Sequence, residues 1–358
     1  MDFSHVIVGS GFAGSVTARR LADAGFGPVL IIDKKNHIGG HAYDAYNKDG
    51  VLIHVYGPHI FHTNNEMVWN WLSRFTEWHH YQHRVLAYVD GRLVPIPITV
   101  ETINTIFGLA LSVEEFPSWL ENHKEKISEI KTSADAVLSK VGNEVYEKIF
   151  RNYTYKQWGR YPEELDPSIA GRIPIRMGRD TRYFSDKYQG IPKEGYAKMF
   201  ERILDHKNIR IMLNTDWKEV KNYLNWGKLI YTGPVDEYYE YRFGHLQYRS
   251  IRFEYETLQG SSLVQPVATI NYPNDYSFTR ATEYRHITGQ KCDVTTIARE
   301  YSSAEGDPYY VIPGAGEGIL ALYKNIHQEN TVFLGRLAEY KYYNMDQVVE
   351  KALTSVVE

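Results

Sequence analysis

His5-Val6-Ile7-Val8-Gly9-Ser10-Gly11-Phe12-Ala13-Gly14 is a short apolar run that breaks into glycines at a fixed spacing, Gly9-x-Gly11-x-x-Gly14. The apolar run predicts a buried strand. Residues 15–24 suit a helix, with Gly25 as its stop. In a strand–turn–helix unit of this kind the first glycine permits the tight turn. The second lets the backbone approach a pyrophosphate, and the third lets helix and strand pack closely. The helix N-terminus then favours the negative charge. Val29-Leu30-Ile31-Ile32 reads as the next buried strand. It ends on Asp33, about 20 residues past the glycines, where a carboxylate can accept hydrogen bonds from a ribose. Three spaced glycines alone are a weak signal. With strand, helix, second strand and terminal acid in register, they predict a dinucleotide-binding unit of Rossmann type.

The segment after Asp33 sharpens that reading. Lys34-Lys35-Asn36-His37-Ile38 leads into a second glycine pair, Gly39-Gly40. An acidic strand end, a basic segment and then Gly-Gly resembles flavoproteins that bind FAD rather than simple NAD dehydrogenases.

Bulk properties bound the rest. A chain of 358 residues is long enough for about two or three structural units. Its 40 basic and 44 acidic residues leave a net charge of -4, too mild for a general binder of nucleic-acid backbones. The single cysteine, Cys292, excludes an internal disulfide, and no Cys/His cluster has zinc spacing, so no metal site is expected. Residues 1–5 lack a basic leader, and Gly9 and Gly11 break the apolar run. No signal peptide, membrane span or membrane partner is therefore expected, and the expected location is cytoplasmic. The 29 tyrosines are the unusual feature, since a flat apolar ring with a hydroxyl suits sugars and nucleobases.

Along the chain, residues 66–78 look helical. Residues 81–98 read as a hairpin around Asp90-Gly91, and Val137, Val141, Val145 and Ile149 repeat as one face of a helix. Residues 245–301 alternate as an antiparallel sheet does, and residues 317–358 read as helix, strand and helix. The expected fold class is α/β: a Rossmann-like FAD-binding domain with an inserted helical domain and an antiparallel β-sheet domain. The FAD-binding domain is expected at 1–80, continued by about 191–240 and 317–358. The helical substrate-side domain is expected at 99–150. The sheet and substrate-site domain is expected from 81–98, 151–190 and 241–316.

Several long segments carry a resemblance. They include Asn36-His37-Ile38-Gly39-Gly40, His59-Ile60-Phe61-His62-Thr63, Lys156-Gln157-Trp158-Gly159 and Arg172-Ile173-Pro174. Further along come Tyr183-Phe184-Ser185-Asp186, Tyr231-Thr232-Gly233-Pro234, Thr279-Arg280, Pro308-Tyr309-Tyr310 and residues 335–343, Gly-Arg-Leu-Ala-Glu-Tyr-Lys-Tyr-Tyr. On these the chain resembles the UDP-galactopyranose mutase family over nearly its full length. The resemblance implies interconversion of UDP-galactopyranose and UDP-galactofuranose on reduced FAD, through a covalent adduct between flavin N5 and the sugar.

It also implies roles. Arg172 and Arg280 match the diphosphate clamps, where fixed guanidinium groups stabilise a departing anion. His59, counted with them as catalytic, and His62 lie in the segment that resembles the loop beside the flavin ring. Gly9, Gly11, Gly14, Asp33, Gly39, Gly40, Gly233, Arg336 and Met345 are expected to contact FAD. Tyr183, Tyr310 and Tyr342 match residues that touch phosphate and sugar. Tyr153 and Trp158 match the uridine pocket, and Asn271 and Asn344 are expected on the substrate side. Bacterial relatives carry over a homodimer.

The chain departs from the family at several positions. Asn344 stands where an aspartate is usual, Leu334 replaces the first glycine of a Gly-Gly-Arg turn, and His41 and Pro58 replace an asparagine and an alanine. Met177-Gly178-Arg179 and Val311 also differ. These leave another sugar open, UDP-N-acetylgalactosamine or dTDP-fucose, and beyond that a flavin oxidoreductase or an inactive nucleotide-sugar binder.

Overall fold

A computed structural model describes residues 2–169, 175–260 and 262–355. Asp2–Val8 lies at the centre of a five-stranded parallel sheet, ordered Ile209–Met212, Val29–Ile32, Asp2–Val8, Asn225–Tyr231, Thr331–Phe333. Every residue of Val29–Ile32 is buried, as an inner parallel strand covered on both faces requires. On one face the helix Phe12–Asp23 packs against Tyr196–Leu204 and the C-terminal helix Met345–Thr354. Trp217, Tyr231 and Ala338 cover the other face.

A second sheet of seven strands runs Tyr310–Val311, Tyr248–Gln259, Val294–Ser303, Arg280–Glu283, Thr269–Asn271, Val85–Val89, Arg92–Ile96. Its pairs are antiparallel except Thr269–Asn271 against Val85–Val89. The hairpin and the alternating segments fall where periodicity puts them.

Two expectations change in detail. Helix Glu66–Leu72 stops early, and the chain turns back as strand Trp78–His80 because Trp78 stacks on Trp69 at 4.1 Å. Val137, Val141, Val145 and Ile149 are all buried in one cluster, but their helix is interrupted. Gly142 has φ 78°, and a Cβ there would lie 2.0 Å from the His123 carbonyl. Close approach of that neighbouring segment forces the break. A π-helical turn, Tyr146–Arg151, then feeds the helix Asn152–Trp158. Among the described residues no helix is long and apolar enough to cross a membrane.

Candidate active site

The glycine turn is built around backbone. Gly9 has φ 101°, and a Cβ there would sit 2.1 Å from Thr232 Oγ1. A Cβ on Gly14 would fall 1.9 Å from the Gly9 carbonyl oxygen. Gly14 thus serves helix-to-strand packing, the role its position in the spacing predicts. The Gly39-Gly40 pair returns to the same turn, with Gly39 N–H donating to the Ser10 carbonyl at 3.0 Å.

A cavity of about 550 Å³ opens over this turn. Gly9, Gly11, Gly39, Gly40 and Gly233 line it without side chains. Asp33, Lys34, Lys35, His59, Arg336 and Met345 also reach its wall. Bare backbone, a helix N-terminus and three cations suit the diphosphate of a flavin dinucleotide. Asp33 is itself tied to the turn. Its Oδ2 accepts from Ser10 N–H at 2.8 Å and Ser10 Oγ at 2.6 Å, and its Oδ1 accepts from Lys35 N–H at 2.9 Å. Of the roughly four lone-pair sites on a carboxylate, these leave about one for a ligand hydroxyl.

The second sheet assembles the other half of the site by register. Asn271 pairs with Arg280, and Arg280 pairs with Glu300. Directly opposed residues on neighbouring strands share a face, so all three side chains stand together. Arg280 Nε donates to Glu300 Oε2 at 2.8 Å. Burial works against the Arg280 charge, but Glu300 outweighs it, and the pKa is held above the ordinary arginine value. The helix Asn152–Trp158 brings Tyr153 over this row, its hydroxyl 3.5 Å from Asn271 Oδ1. Burial raises the Tyr153 pKa, with Tyr183 and Tyr342 close enough to add to it, so this hydroxyl stays a proton donor.

Tyr310 and Tyr342 stack at 5.6 Å. Trp158 lies 5.8 Å from each and is 7% exposed, among Leu165, Ile169 and Ile312. It therefore forms the floor beneath the tyrosines. Arg336 links this aromatic group to the cavity. Its guanidinium carbon is 5.2 Å from the Tyr342 ring, and Nη2 donates to the Tyr343 carbonyl at 2.7 Å.

His59 lies at the same junction. Its Nδ1 is 2.7 Å from the Gly57 carbonyl and its Nε2 is 3.2 Å from the Tyr309 hydroxyl. Donation from Nδ1 and acceptance at Nε2 describe a neutral ring. Burial, with Arg336 and Arg280 adding to it, pushes its pKa down to about 4.

Other expected residues are placed differently. Arg172 lies outside the described residues. His62 does not reach the cavity wall; its Nδ1 is 3.0 Å from Asp186 Oδ2, and its ring stacks on Phe184 at 3.7 Å. Tyr183, by contrast, stays beside Tyr153 and adds to its raised pKa; it stands edge-on to Phe184, its N–H donating to the His83 carbonyl at 2.8 Å. Asn344 is exposed at the N-cap of the C-terminal helix, its N–H donating to Gln347 Oε1 at 2.9 Å. Leu334 is 2% exposed, and the positive φ of the turn falls on Gly335 at 100°, so the lost first glycine carries no backbone demand.

Sequence reasoning passed over Glu300, Tyr309 and His41. Tyr309 stood in a quoted match without a role. His41 packs 4.6 Å from the Tyr309 ring and lines the cavity, and burial holds its pKa well below the usual histidine value. Alternation along Val294–Ser303 could have put Glu300 on the Arg280 face, had the strand pairing been known.

Comparison with known proteins agrees with this geometry. A family model described as UDP-galactopyranose mutase matches residues 148–342, and one described as an NAD(P)-binding Rossmann-like domain matches residues 7–75. A protein from Klebsiella pneumoniae described as probable UDP-galactopyranose mutase is 40% identical, over 99% of this chain and 94% of its own length. A dTDP-fucopyranose mutase from Escherichia coli is 34% identical, over 97% of this chain and 96% of its own. A crystal structure of reduced UDP-galactopyranose mutase superposes with a TM-score of 0.74 at 15% identity, covering 98% of this chain and 94% of that one. The chain belongs to the UDP-galactopyranose mutase family.

Proposed function

We propose that this chain interconverts the pyranose and furanose forms of a nucleotide sugar, UDP-galactose first, with reduced FAD in the cavity over the glycine turn. The observation that carries this reading is the junction of Arg336, His59 and Tyr309. It lies between the dinucleotide cavity and the row of Asn271, Arg280 and Glu300, near enough to that row for the Arg280 charge to act on both His59 and Tyr309. When bound and reduced, the flavin supplies the nucleophile toward the anomeric carbon. Gly9, Gly11, Gly39, Gly40 and Gly233 would admit it through bare backbone, and Asp33 would accept from its ribose. Arg280, kept charged and aimed by Glu300, holds the diphosphate as negative charge builds on departure and waits for its return. By the resemblance, Arg172 is the second cation. Protonated Tyr153 and Tyr310 donate to substrate oxygens. Neutral His59 holds Tyr309 in place without adding charge.

Dithionite-reduced protein incubated with UDP-galactopyranose, UDP-N-acetylgalactosamine and dTDP-fucose tests the reading. Ring-contracted product is expected only after reduction, with no net consumption of reductant. The dTDP-fucopyranose mutase relative makes dTDP-fucose the second candidate. Stoichiometric oxidation of any substrate would replace the reading with an oxidoreductase.

A further inference from the structure

Lys156 is a half-buried cation without a carboxylate among the ion pairs of the described residues. Its Nζ donates to two main-chain carbonyls, Tyr272 at 2.7 Å and Asp275 at 2.6 Å. Those carbonyls belong to the loop that joins Thr269–Asn271 to Arg280–Glu283. One is at the root of the loop and the other near its tip. The stems of the same loop end on Asn271 and Arg280, the paired residues of the candidate substrate site. Lys156 also stands three residues after Tyr153 on one helix, so the two are neighbours on its surface.

We propose that Lys156 is a positioning residue that sets the gap between Tyr153 and the Asn271–Arg280 pair, and through that gap the affinity for the nucleotide. This rests on the nucleotide-sugar reading above. Charge-assisted hydrogen bonds are shorter and roughly twice as strong as neutral ones, and both contacts here are short. Neutral ties also join the loop to this side of the fold. Asn152 Nδ2 donates to Asn274 Oδ1 at 2.9 Å, and Asn274 Nδ2 donates to the Lys148 carbonyl at 2.9 Å. These remain when the lysine is changed, so the loop stays attached but less closely held.

The charge is adjustable. Burial brings the Lys156 pKa down to about 8, and the nearby Asp275 carboxylate opposes that shift. The other titratable and charged groups around the loop are Tyr272, Tyr276, Tyr88, Arg299 and Lys148, which pairs with Asp90. Burial raises the Tyr272 pKa above its ordinary value. Lys156 therefore loses its charge across mildly alkaline pH, and the clamp weakens there.

The test is UDP affinity by titration calorimetry on flavin-loaded protein at pH 7 and pH 9. Wild type is compared with Lys156→Arg, a permanent cation, and Lys156→Met, with flavin content and melting temperature recorded. Lys156→Met is expected to bind UDP about tenfold more weakly at pH 7. Wild type is expected to lose affinity at pH 9 while Lys156→Arg keeps it. Ionisation of UDP itself is common to both proteins and drops out of that comparison. Parallel pH dependence in wild type and Lys156→Arg overturns the proposal, and so does normal UDP binding by Lys156→Met. If Lys156→Met does not fold, the wild-type and Lys156→Arg pair decides alone. Wild type that fails to bind UDP at either pH overturns the nucleotide-sugar reading, and this inference with it.

Discussion

Arg280 and Glu300 face each other across adjacent strands and are joined by a single hydrogen bond of 2.8 Å from Nε. Glu300 is 4% exposed, so its carboxylate depends on Arg280 in a place where water cannot substitute, while the Arg280 side chain keeps an exposed edge toward the site. Arg280→Ala should lower turnover by about 100-fold or more, the scale of losing one charge-stabilising donor. It should also cost about 3 kcal/mol of stability, because Glu300 is left buried without its partner. Glu300→Gln keeps the shape and one acceptor, so its melting temperature should fall less than that of Arg280→Ala. Near-normal steady-state turnover in Arg280→Ala, measured on folded, flavin-loaded protein, would refute the clamp.

The glycine turn makes a separate prediction. A methyl group at Gly14 would lie 1.9 Å from the Gly9 carbonyl, and the helix has no room to move away without opening the turn. Gly14→Ala should purify without yellow cofactor, as read from absorbance at the flavin maximum. Gly318→Ala is the control. It stands in the helix Glu317–Lys324 with nothing within 4 Å of an added Cβ. That variant should keep its flavin and gain up to about 1 kcal/mol from helix propensity. Full flavin content in Gly14→Ala would contradict the close-packing role.

Much of this was legible in the chain, for a local reason. The glycine spacing, Asp33 and the apolar run of residues 29–32 encode a unit whose contacts lie within about thirty residues, so one pass along the sequence finds it. Glu300 was not legible, because its role comes from pairing with a strand that ends at Glu283, and strand order is a non-local property. The Gly142 break was hidden for a similar reason: the four-residue apolar spacing continues through it, while the intruding His123 carbonyl comes from another segment. The His62 imidazole pairs with Asp186, a partner 124 residues along the chain that its own segment does not reveal. Asn344 was read for its missing charge, although Asn-x-x-Gln ahead of an apolar helix also spells a capping box.

Acid should destabilise the fold through buried histidines. His54 and His83 are 1% and 5% exposed, and burial pushes both pKa values down to about 3. Unfolded histidine titrates near 6.5, so below that pH the unfolded chain takes up protons that the folded chain refuses. Their contribution to stability is complete above pH 6.5 and is lost as pH falls toward 3. Asp44 opposes them. Burial raises its pKa to about 6, so the folded state holds a proton that the unfolded chain does not hold until about pH 4. His59, held at about 4, joins His54 and His83, so three groups against one leave a net loss of about 2.7 kcal/mol per pH unit midway between pH 6 and 4, and buried His41 adds to it. Urea unfolding at half-unit steps should show that slope, and a flat or rising profile would mean that these histidines are not buried neutral.

Asn344 separates capping from substrate contact. Its side chain is exposed at the N-cap of the helix, and Gln347 Oε1 accepts from its N–H at 2.9 Å. Asn344→Ala should cost about 1 kcal/mol, the usual loss at an N-cap. Asn344→Asp restores the residue usual in the family and adds negative charge at a helix N-terminus, which should stabilise by about 0.3–1 kcal/mol at low salt. Thermal midpoints should therefore rank aspartate above asparagine above alanine, with the first gap closing as salt is added. Set at the exposed helix end, the Asn344 side chain should matter little to the chemistry, so the turnover of Asn344→Asp on UDP-galactose should stay within about twofold of wild type. A large change in turnover with the stability order intact would put Asn344 back against the substrate.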